Sequence, residues 1–253
     1  MAKKVIIWGD VHFPYQDEAS LSILKKTIAK IKPDISVDLG DLLDCSQFSA
    51  HPPTYGMPMS NYEDDLQQAN DFIDYVQKYT KERTILIGGN HDSYRIERWA
   101  AKESEGKGTY NMLSPHIQLM RNRTKCTYIR YGGAQGTIPH YKLNSRIICV
   151  HGWSYAQNAA KIHLRMAQGK SIVYAHCHRM DTACIQDIWS KGTLQSRCPG
   201  CMCQRMPLYG TGNPVEWVNG FIVGYLGKRS DTLFTVDIKG DFCILPDGTE
   251  VTA

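Results

Sequence analysis

Two hydrophobic periods alternate over residues 4–90, and this alternation constrains the fold more than any other feature of the chain. Residues 4–8 (KVIIW) are a continuous apolar run of strand length, and 35–39 and 84–87 read as two further strands. Between them, 18–32 carries Leu21, Leu24, Ile28 and Ile31 at helical spacing, and 61–81 places Leu66, Ala69, Phe72, Ile73 and Val76 on one helical face. Parallel strands need a long crossover, usually a helix, so this order predicts a parallel sheet with covering helices.

Further strands are expected near 127–131, 146–150 and 171–175, with a helix near 156–168. Beyond that the helical period stops. Residues 182–189, 217–226, 232–238 and 242–245 read as strands joined by turns, so the second half is expected to close with a more antiparallel sheet. No repeat, low-complexity tract or linker divides the chain, which predicts a single domain over 1–253. Two stretches rich in proline and small residues, 45–60 and 196–214, read as long loops, and loops of that kind in a compact domain are often functional.

Composition sets the class of partner only loosely. A net charge of +4 is too small to indicate nucleic acid by itself, although a local basic face stays open. Nine cysteines, an odd number, and no charged-then-apolar leader in MAKKVIIWGD point to a reducing compartment. No apolar run approaches the roughly 18 residues that a membrane span requires. The expectation is a cytoplasmic protein with no membrane partner.

The chemistry is concentrated where strands end. IIWGDVH supplies Asp10 and His12, VDLGDLLD supplies Asp41 and Asp44, and LIGGNHD supplies Asn90, His91 and Asp92. If the three strands are parallel, these groups share the carboxyl edge of the sheet, where ligands bind in open α/β folds. The second half adds His151 in CVHGW, and His176 and His178 in YAHCH. Alternate residues of an extended segment face the same way, so Asp10 with His12, and His176 with His178, are each expected to serve one site. Mixed oxygen and imidazole donors suit manganese, iron, zinc, cobalt or nickel better than calcium or magnesium. Seven donors exceed one tetrahedral site, so two metals sharing a carboxylate is the simplest arrangement. Such a pair acidifies a bridging water and clamps the oxygens of a phosphoryl centre, which favours hydrolysis at phosphorus.

The motifs GDVH, GDLLD, GNHD, VHG and AHCH, in this order between positions 9 and 178, closely resemble the signature of calcineurin-like metallophosphoesterases. The resemblance implies an α/β fold, a four-layer αββα sandwich. It also implies that Asp10, His12 and His178 hold one divalent ion, that Asn90, His151 and His176 hold the second, and that Asp41 bridges them. Manganese is the first expectation, with iron, zinc, nickel or cobalt as alternatives. His91 would be the catalytic histidine, stabilising charge on the phosphoryl group or protonating the leaving oxygen, with Asp92 orienting its ring. Asp44 would support the metal ligands by hydrogen bonding. Ala175 departs from the family, which usually has glycine before the paired histidines. Some family members have lost catalysis and act as scaffolds, normally with ligands missing; none is missing here.

Such a core does not choose among phosphoesters, so the periphery must. SYRIERWAAK bears Tyr94, Arg95, Arg98, Trp99 and Lys102, and MRNRTK adds Arg121, Arg123 and Lys125. Cations interleaved with aromatics can follow a phosphate backbone and stack bases; the plainer alternative is a solvated helix face with Trp99 in the core. Arg179, beside a ligand candidate, is the cation most expected to face a phosphate, and Tyr94, Arg95 and His51 are further substrate candidates. RCPGCMC offers Cys198, Cys201 and Cys203, either a structural zinc site completed by a distant residue such as Cys184 or a reduced loop. His116, His140 and His163 read as surface or satisfied core residues. The resulting expectation is a compact phosphodiesterase acting on nucleic acid, single- or double-stranded DNA included, or on nucleotides, in a bacterial or phage-infected host cytoplasm. A protein or nucleotide phosphomonoesterase is the alternative.

Overall fold

A computed structural model of the chain describes residues 2–50, 60–102, 106–132, 138–187, 192–205 and 216–253. The first half follows the two periods closely. Strand β1 (Lys3–Trp8) leads to helix α1 (Glu18–Ile31), β2 (Ile35–Asp38), α2 (Tyr62–Tyr79) and β3 (Arg83–Ile87). Each long helix starts on a side-chain cap. The Asp17 carboxylate accepts from Ser20 N at 2.9 Å, and the Asn61 amide oxygen accepts from Glu63 N at 3.0 Å. Glu63, Asp64 and Asp65 in the first turn of α2 complement its dipole. After β3 one π-helical turn, Asn90–Tyr94, runs into α3 (Arg95–Ala100), followed by α4 (Gly106–Leu113), α5 (Pro115–Gln118) and β4 (Cys126–Ile129).

The second half holds β5 (Tyr141–Lys142), β6 (Ile147–Cys149), α6 (Ala159–Met166), β7 (Ser171–Val173), β8 (Met180–Asp187), β9 (Gly192–Pro199), β10 (Gly220–Leu226), β11 (Asp231–Asp237), β12 (Phe242–Ile244) and β13 (Glu250–Thr252). Two sheets result, with a β12–β13 hairpin apart. The first has the order β11-β10-β1-β2-β3-β4 and the second β5-β6-β7-β9-β8. Strands β1 to β3 are parallel, as predicted, and β4 joins them in the same direction.

Two expectations about the second half change. Its antiparallel strands do not close one sheet of their own: β10 pairs with β1, so β10 and β11 extend the first sheet, while the second sheet mixes parallel and antiparallel pairs. The stretch expected as a loop from 196 is still strand β9 up to Pro199. Its buried face is carried by Ser196 and Cys198, small residues with little hydrophobic signal.

Three apolar layers separate four layers of structure. Ile6, Trp8, Leu24, Ile28, Phe72 and Val76 fill the space between the first sheet and its helices. Val5, Ile7, Val37, Ile85, Cys149 and Val173 lie between the sheets, and Ala159, Leu164 and Tyr174 join α6 to the second sheet. This is the predicted αββα sandwich. Just past the ends of β1 and β7 a Cβ placed on Gly9 would stand 2.9 Å from the Cβ of Ala175, so the glycine makes room for the alanine. No helix among the described residues is long and apolar enough to cross a membrane.

Candidate active site

At the carboxyl ends of β1, β2 and β7 the chain turns sharply. Nine non-glycine residues among those described have positive φ, and five of them are predicted ligands: Asp10, His12, Asp41, His176 and His178, at 53–74°. A left-handed residue that is not glycine costs about 1–3 kcal/mol and persists only where its surroundings enforce it. Here the turns are laced together: Asp10 N donates to Gly40 O and His12 N to Asp41 O, both at 2.9 Å. These turns, not alternation along extended strands, direct the side chains. Consequently His176 and His178 part company, one to each of two donor groups.

In the first group the donor atoms of Asp10, His12 and Asp41 lie within 4.8 Å of one another. His178 joins them, its Nε2 3.2 Å from His12 Nε2 and 3.7 Å from Asp10 Oδ1. The second group unites Asp41, His151 and His176 within the same 4.8 Å. Asn90 completes it, with Oδ1 2.9 Å from His151 Nε2. Asp41 belongs to both.

Two observations show that these groups fit cations. Asp10 is fully buried, its Oδ2 accepts from His176 N at 2.9 Å, and its Oδ1 has no hydrogen-bond partner; a buried carboxylate oxygen left bare is costly without a positive charge beside it. His151 Nδ1 can only donate to the Leu39 carbonyl, 3.1 Å away, so the neutral ring turns the lone pair of Nε2 towards Asn90 Oδ1 and Asp41 Oδ2, the latter at 3.3 Å. Three acceptors facing one another need a cation or a proton between them. Asp41 supplies the reason a proton can stand in: against burial, it raises the His151 pKa.

Ligation needs neutral imidazoles and ionised carboxylates, and four of the six titratable donors shift that way, His151 and Asp10 being the exceptions. Burial lowers the pKa of His12, with His91 adding to the effect, and burial together with His12 lowers that of His178 strongly. Burial and the neighbouring His151 bring His176 down to about 4. Burial would raise Asp41, but His151, His91 and His12 outweigh it and hold it well below the usual carboxylate range. Asp10 moves the other way, raised by burial and by Asp41.

Beside Asp41 stands His91. Its backbone N–H donates to Asp41 Oδ1 at 2.8 Å, and its ring Nδ1 contacts Asp44 Oδ1 at 2.9 Å. The same Asp44 oxygen receives His12 Nδ1 at 3.0 Å. Arg95 reaches over this pair: Nη1 donates to the Asp44 carbonyl at 2.7 Å, and Nη2 lies 3.2 Å from His91 Nε2. Gly89 admits the close approach, because a Cβ there would stand 2.0 Å from Asp41 Oδ1.

Residues 3–193 match the family described as calcineurin-like phosphoesterase. The chain belongs to that family. Members of this hydrolase family use divalent metals, and the two donor groups of this calcineurin-like phosphoesterase could hold them. No curated protein matches the sequence. Among solved structures, it is similar to vacuolar protein sorting 29 of Cryptosporidium parvum (14% identity, TM-score 0.49, covering 100% of this chain and 96% of that one). It is also similar to the zinc complex of Vps29 from Entamoeba histolytica (14%, 0.47, 99% and 97%). A third is Yfce, a phosphoesterase from E. coli (15%, 0.41, 92% and 98%).

Within this phosphoesterase the structure brings all seven predicted ligands and His91 together, and it reassigns several neighbours. Asp92 does not touch the His91 ring. Its two oxygens accept from Gly89 N at 2.6 Å and Leu42 N at 3.0 Å, tying the turn after β3 to the turn after β2. Burial, with Asp41 close by, raises the Asp92 pKa to about 7. The residue that orients His91 is Asp44. Arg179 is engaged elsewhere, with Glu216 at 3.0 Å and the carbonyls of Tyr155 and Ala156 at 3.1 and 2.6 Å. The cation at the centre is Arg95. Arg123 is likewise occupied, gripping Asn70 and Asp74 of α2. His51 lies outside the described residues.

The cysteines divide. Cys198, Cys201 and Cys203 are buried while Cys184 is exposed on β8, so Cys184 does not complete a zinc site with them. Cys203 Sγ instead lies 3.7 Å from Nδ1 of His178, a contact no spacing rule would have revealed. His163 is a satisfied core residue: its Nε2 accepts from Trp153 N, its Nδ1 bonds the Ala159 carbonyl, and its ring stacks on Tyr174.

A cavity of about 290 Å³ adjoins the centre, sharing Asn90 and Arg95 with it and lined further by Phe48, Arg98, Trp99 and Lys102. Tyr94, 47% exposed, stands on its rim.

Proposed function

We propose that the chain is a dinuclear-metal phosphodiesterase acting on nucleic acid or nucleotide diesters. The observation that supports this most is the place of Asp41: one buried carboxylate belongs to both donor groups, with the His91 imidazole and the Arg95 guanidinium on the same flank. Asp10, His12, His178 and Asp41 would hold one divalent cation, and Asp41, Asn90, His151 and His176 the other, manganese being the first candidate. When bound, the two cations supply an activated water and positive charge for the phosphoryl oxygens.

The protein's own contribution is orientation and charge. Asp44 fixes the His91 ring through Nδ1, so that Nε2 is the atom turned to substrate, either to stabilise a phosphoryl oxygen or to give a proton to the leaving group. Arg95 already contacts that nitrogen and can transfer its donors to a phosphate. Tyr94, which lines the adjoining cavity, and His51 are further substrate candidates. Diesters are favoured over monoesters because a cavity beside the centre gives the second ester arm a place.

The test compares bis(p-nitrophenyl) phosphate with p-nitrophenyl phosphate after chelation and reloading. Activity is expected to vanish with chelator, to return best with manganese and to favour the diester. Preference for the monoester overturns the substrate reading, and failure of every divalent metal to restore turnover leaves a non-catalytic scaffold.

A further inference from the structure

The cavity beside the centre carries a chemical pattern of its own. Arg98, Trp99 and Lys102 lie three, four and seven residues after Arg95, the spacing that lines one face of a helical turn. That face leaves the metal donors at Asn90 and runs outward, so a ligand lying on it meets the reacting phosphate first, then an aromatic ring and further cations. Among the described residues, no acidic side chain lines the cavity. Arg95 is compensated by Asp44, and Glu97, the carboxylate within this stretch, is turned to Arg130 at 2.6 Å. Arg98 and Lys102 are exposed and have no carboxylate partner among the described residues. Trp99 is only half buried, and its plane is set by Phe48, 5.3 Å away at 64°, which is itself packed edge-on against Tyr62.

We infer that this cavity binds the nucleoside next to the scissile phosphate of a single-stranded nucleic acid, its base against Trp99 and its following phosphate on Arg98 and Lys102. The inference rests on the phosphodiesterase reading of the metal centre and adds a requirement to it: an unpaired base and a second phosphate. A base inside a duplex has no free face to offer a side chain, so strands must be open at the site. About 290 Å³ lies just below the roughly 300–1,000 Å³ of ligand pockets, room for one nucleoside-sized group and no more. Small diesters and cyclic nucleotides, lacking the second phosphate, would leave Arg98 and Lys102 unused.

The experiment uses the manganese-loaded full chain, its Trp99→Leu variant and the double variant Arg98→Ala with Lys102→Ala. The first readout is kcat/KM for single-stranded oligothymidylate divided by that for bis(p-nitrophenyl) phosphate. Each variant should lower this ratio at least about five-fold, the low end of one lost base stack. An unchanged ratio overturns the inference. The second readout needs no turnover: anisotropy of fluorescein-labelled oligothymidylate in chelator, over a range of salt. The double variant should flatten the salt dependence by about 0.7 in logarithmic slope, one phosphate neutralised on a single strand. Annealing the probe to its complement should weaken binding. Salt slopes that match the wild type, or equal affinity for both forms of the probe, overturn the inference even if bis(p-nitrophenyl) phosphate is hydrolysed. Failure to hydrolyse that diester, with binding as expected, instead sinks the catalytic reading. Because Arg98 and Lys102 are exposed, the double variant keeps the test decisive should Trp99→Leu fold poorly.

Discussion

Asp44 Oδ1 receives Nδ1 of His91 at 2.9 Å, and the same oxygen receives Nδ1 of His12 at 3.0 Å. One carboxylate atom thus sets the ring of the proposed proton donor and the ring of a proposed metal ligand together. Asp44 is itself held ionised: burial opposes this, but His12 and His91 lower its pKa more than burial raises it. Asp44→Ala should therefore weaken metal binding and cut kcat/KM, each by about 10–100-fold, the usual range for a residue supporting metal ligands. Calorimetric manganese titration beside the diester assay checks this, and wild-type metal affinity in the variant would contradict it.

Asp41 and His91 should separate cleanly. Asp41→Asn removes the shared carboxylate, so both turnover and metal occupancy should fall, whereas His91→Ala should abolish turnover and keep the metals. Metal content after gel filtration, measured by elemental analysis, decides; equal loss from both variants would contradict the assigned roles.

Gly89 and Gly108 make a matched pair. A methyl at Gly89 would sit 2.0 Å from Asp41 Oδ1, whereas nothing lies within 4 Å of a Cβ at Gly108 in α4. Gly89→Ala should displace Asp41 and lose metal. Gly108→Ala should be neutral or stabilising by up to about 1 kcal/mol, since alanine favours a helix over glycine. Urea unfolding and metal content on the two variants provide the comparison, and a tolerated Gly89→Ala would refute the close packing described here.

His163 gives the fold a pH dependence of its own making in the core. Burial pushes its pKa down to about 4, below the roughly 6.5 of an unfolded imidazole. Between these values the unfolded chain binds a proton that the folded chain refuses, so stability is full above pH 6.5 and falls as the pH drops towards 4. Across that window the loss amounts to about 3 kcal/mol. His163→Gln should be less stable at neutral pH but should flatten this decline, as read from unfolding free energies at several pH values. Parallel profiles for the two proteins would rule the account out.

Much of the architecture could be read from the order of residues because its causes are local. Leu21, Leu24 and Ile28 declare α1 by spacing alone, and the polar groups after each apolar strand run announce the edge where Asp10, Asp41 and Asn90 meet. What could not be read depends on partners distant in the chain. Strand β9 buries Ser196 and Cys198, whose chemistry gives no strand signal until β7 and β8 lie on either side. Asp92 and Asp44 look interchangeable as supports for His91 until the turns fold; then Asp92 faces backbone N–H groups and Asp44 faces the rings. Arg179 adjoins a ligand in sequence, yet Glu216 and two carbonyls claim it, while Arg95 reaches the centre from a helix.

The two banks of the centre belong to different sheets: Asp10, His12, Asp41 and Asn90 come from one, His151, His176 and His178 from the other. Each donor group draws on both banks, Asp10, His12 and Asp41 with His178, and Asp41 and Asn90 with His151 and His176, so the separation of the donors is inherited from the hydrocarbon packed beneath them, Ile7, Val37 and Val173 among it. That greasy filling acts as a shim. Its thickness sets how far apart the jaws stand, and a change of one methylene far below the cleft would be felt as a change in which cations the jaws can grip.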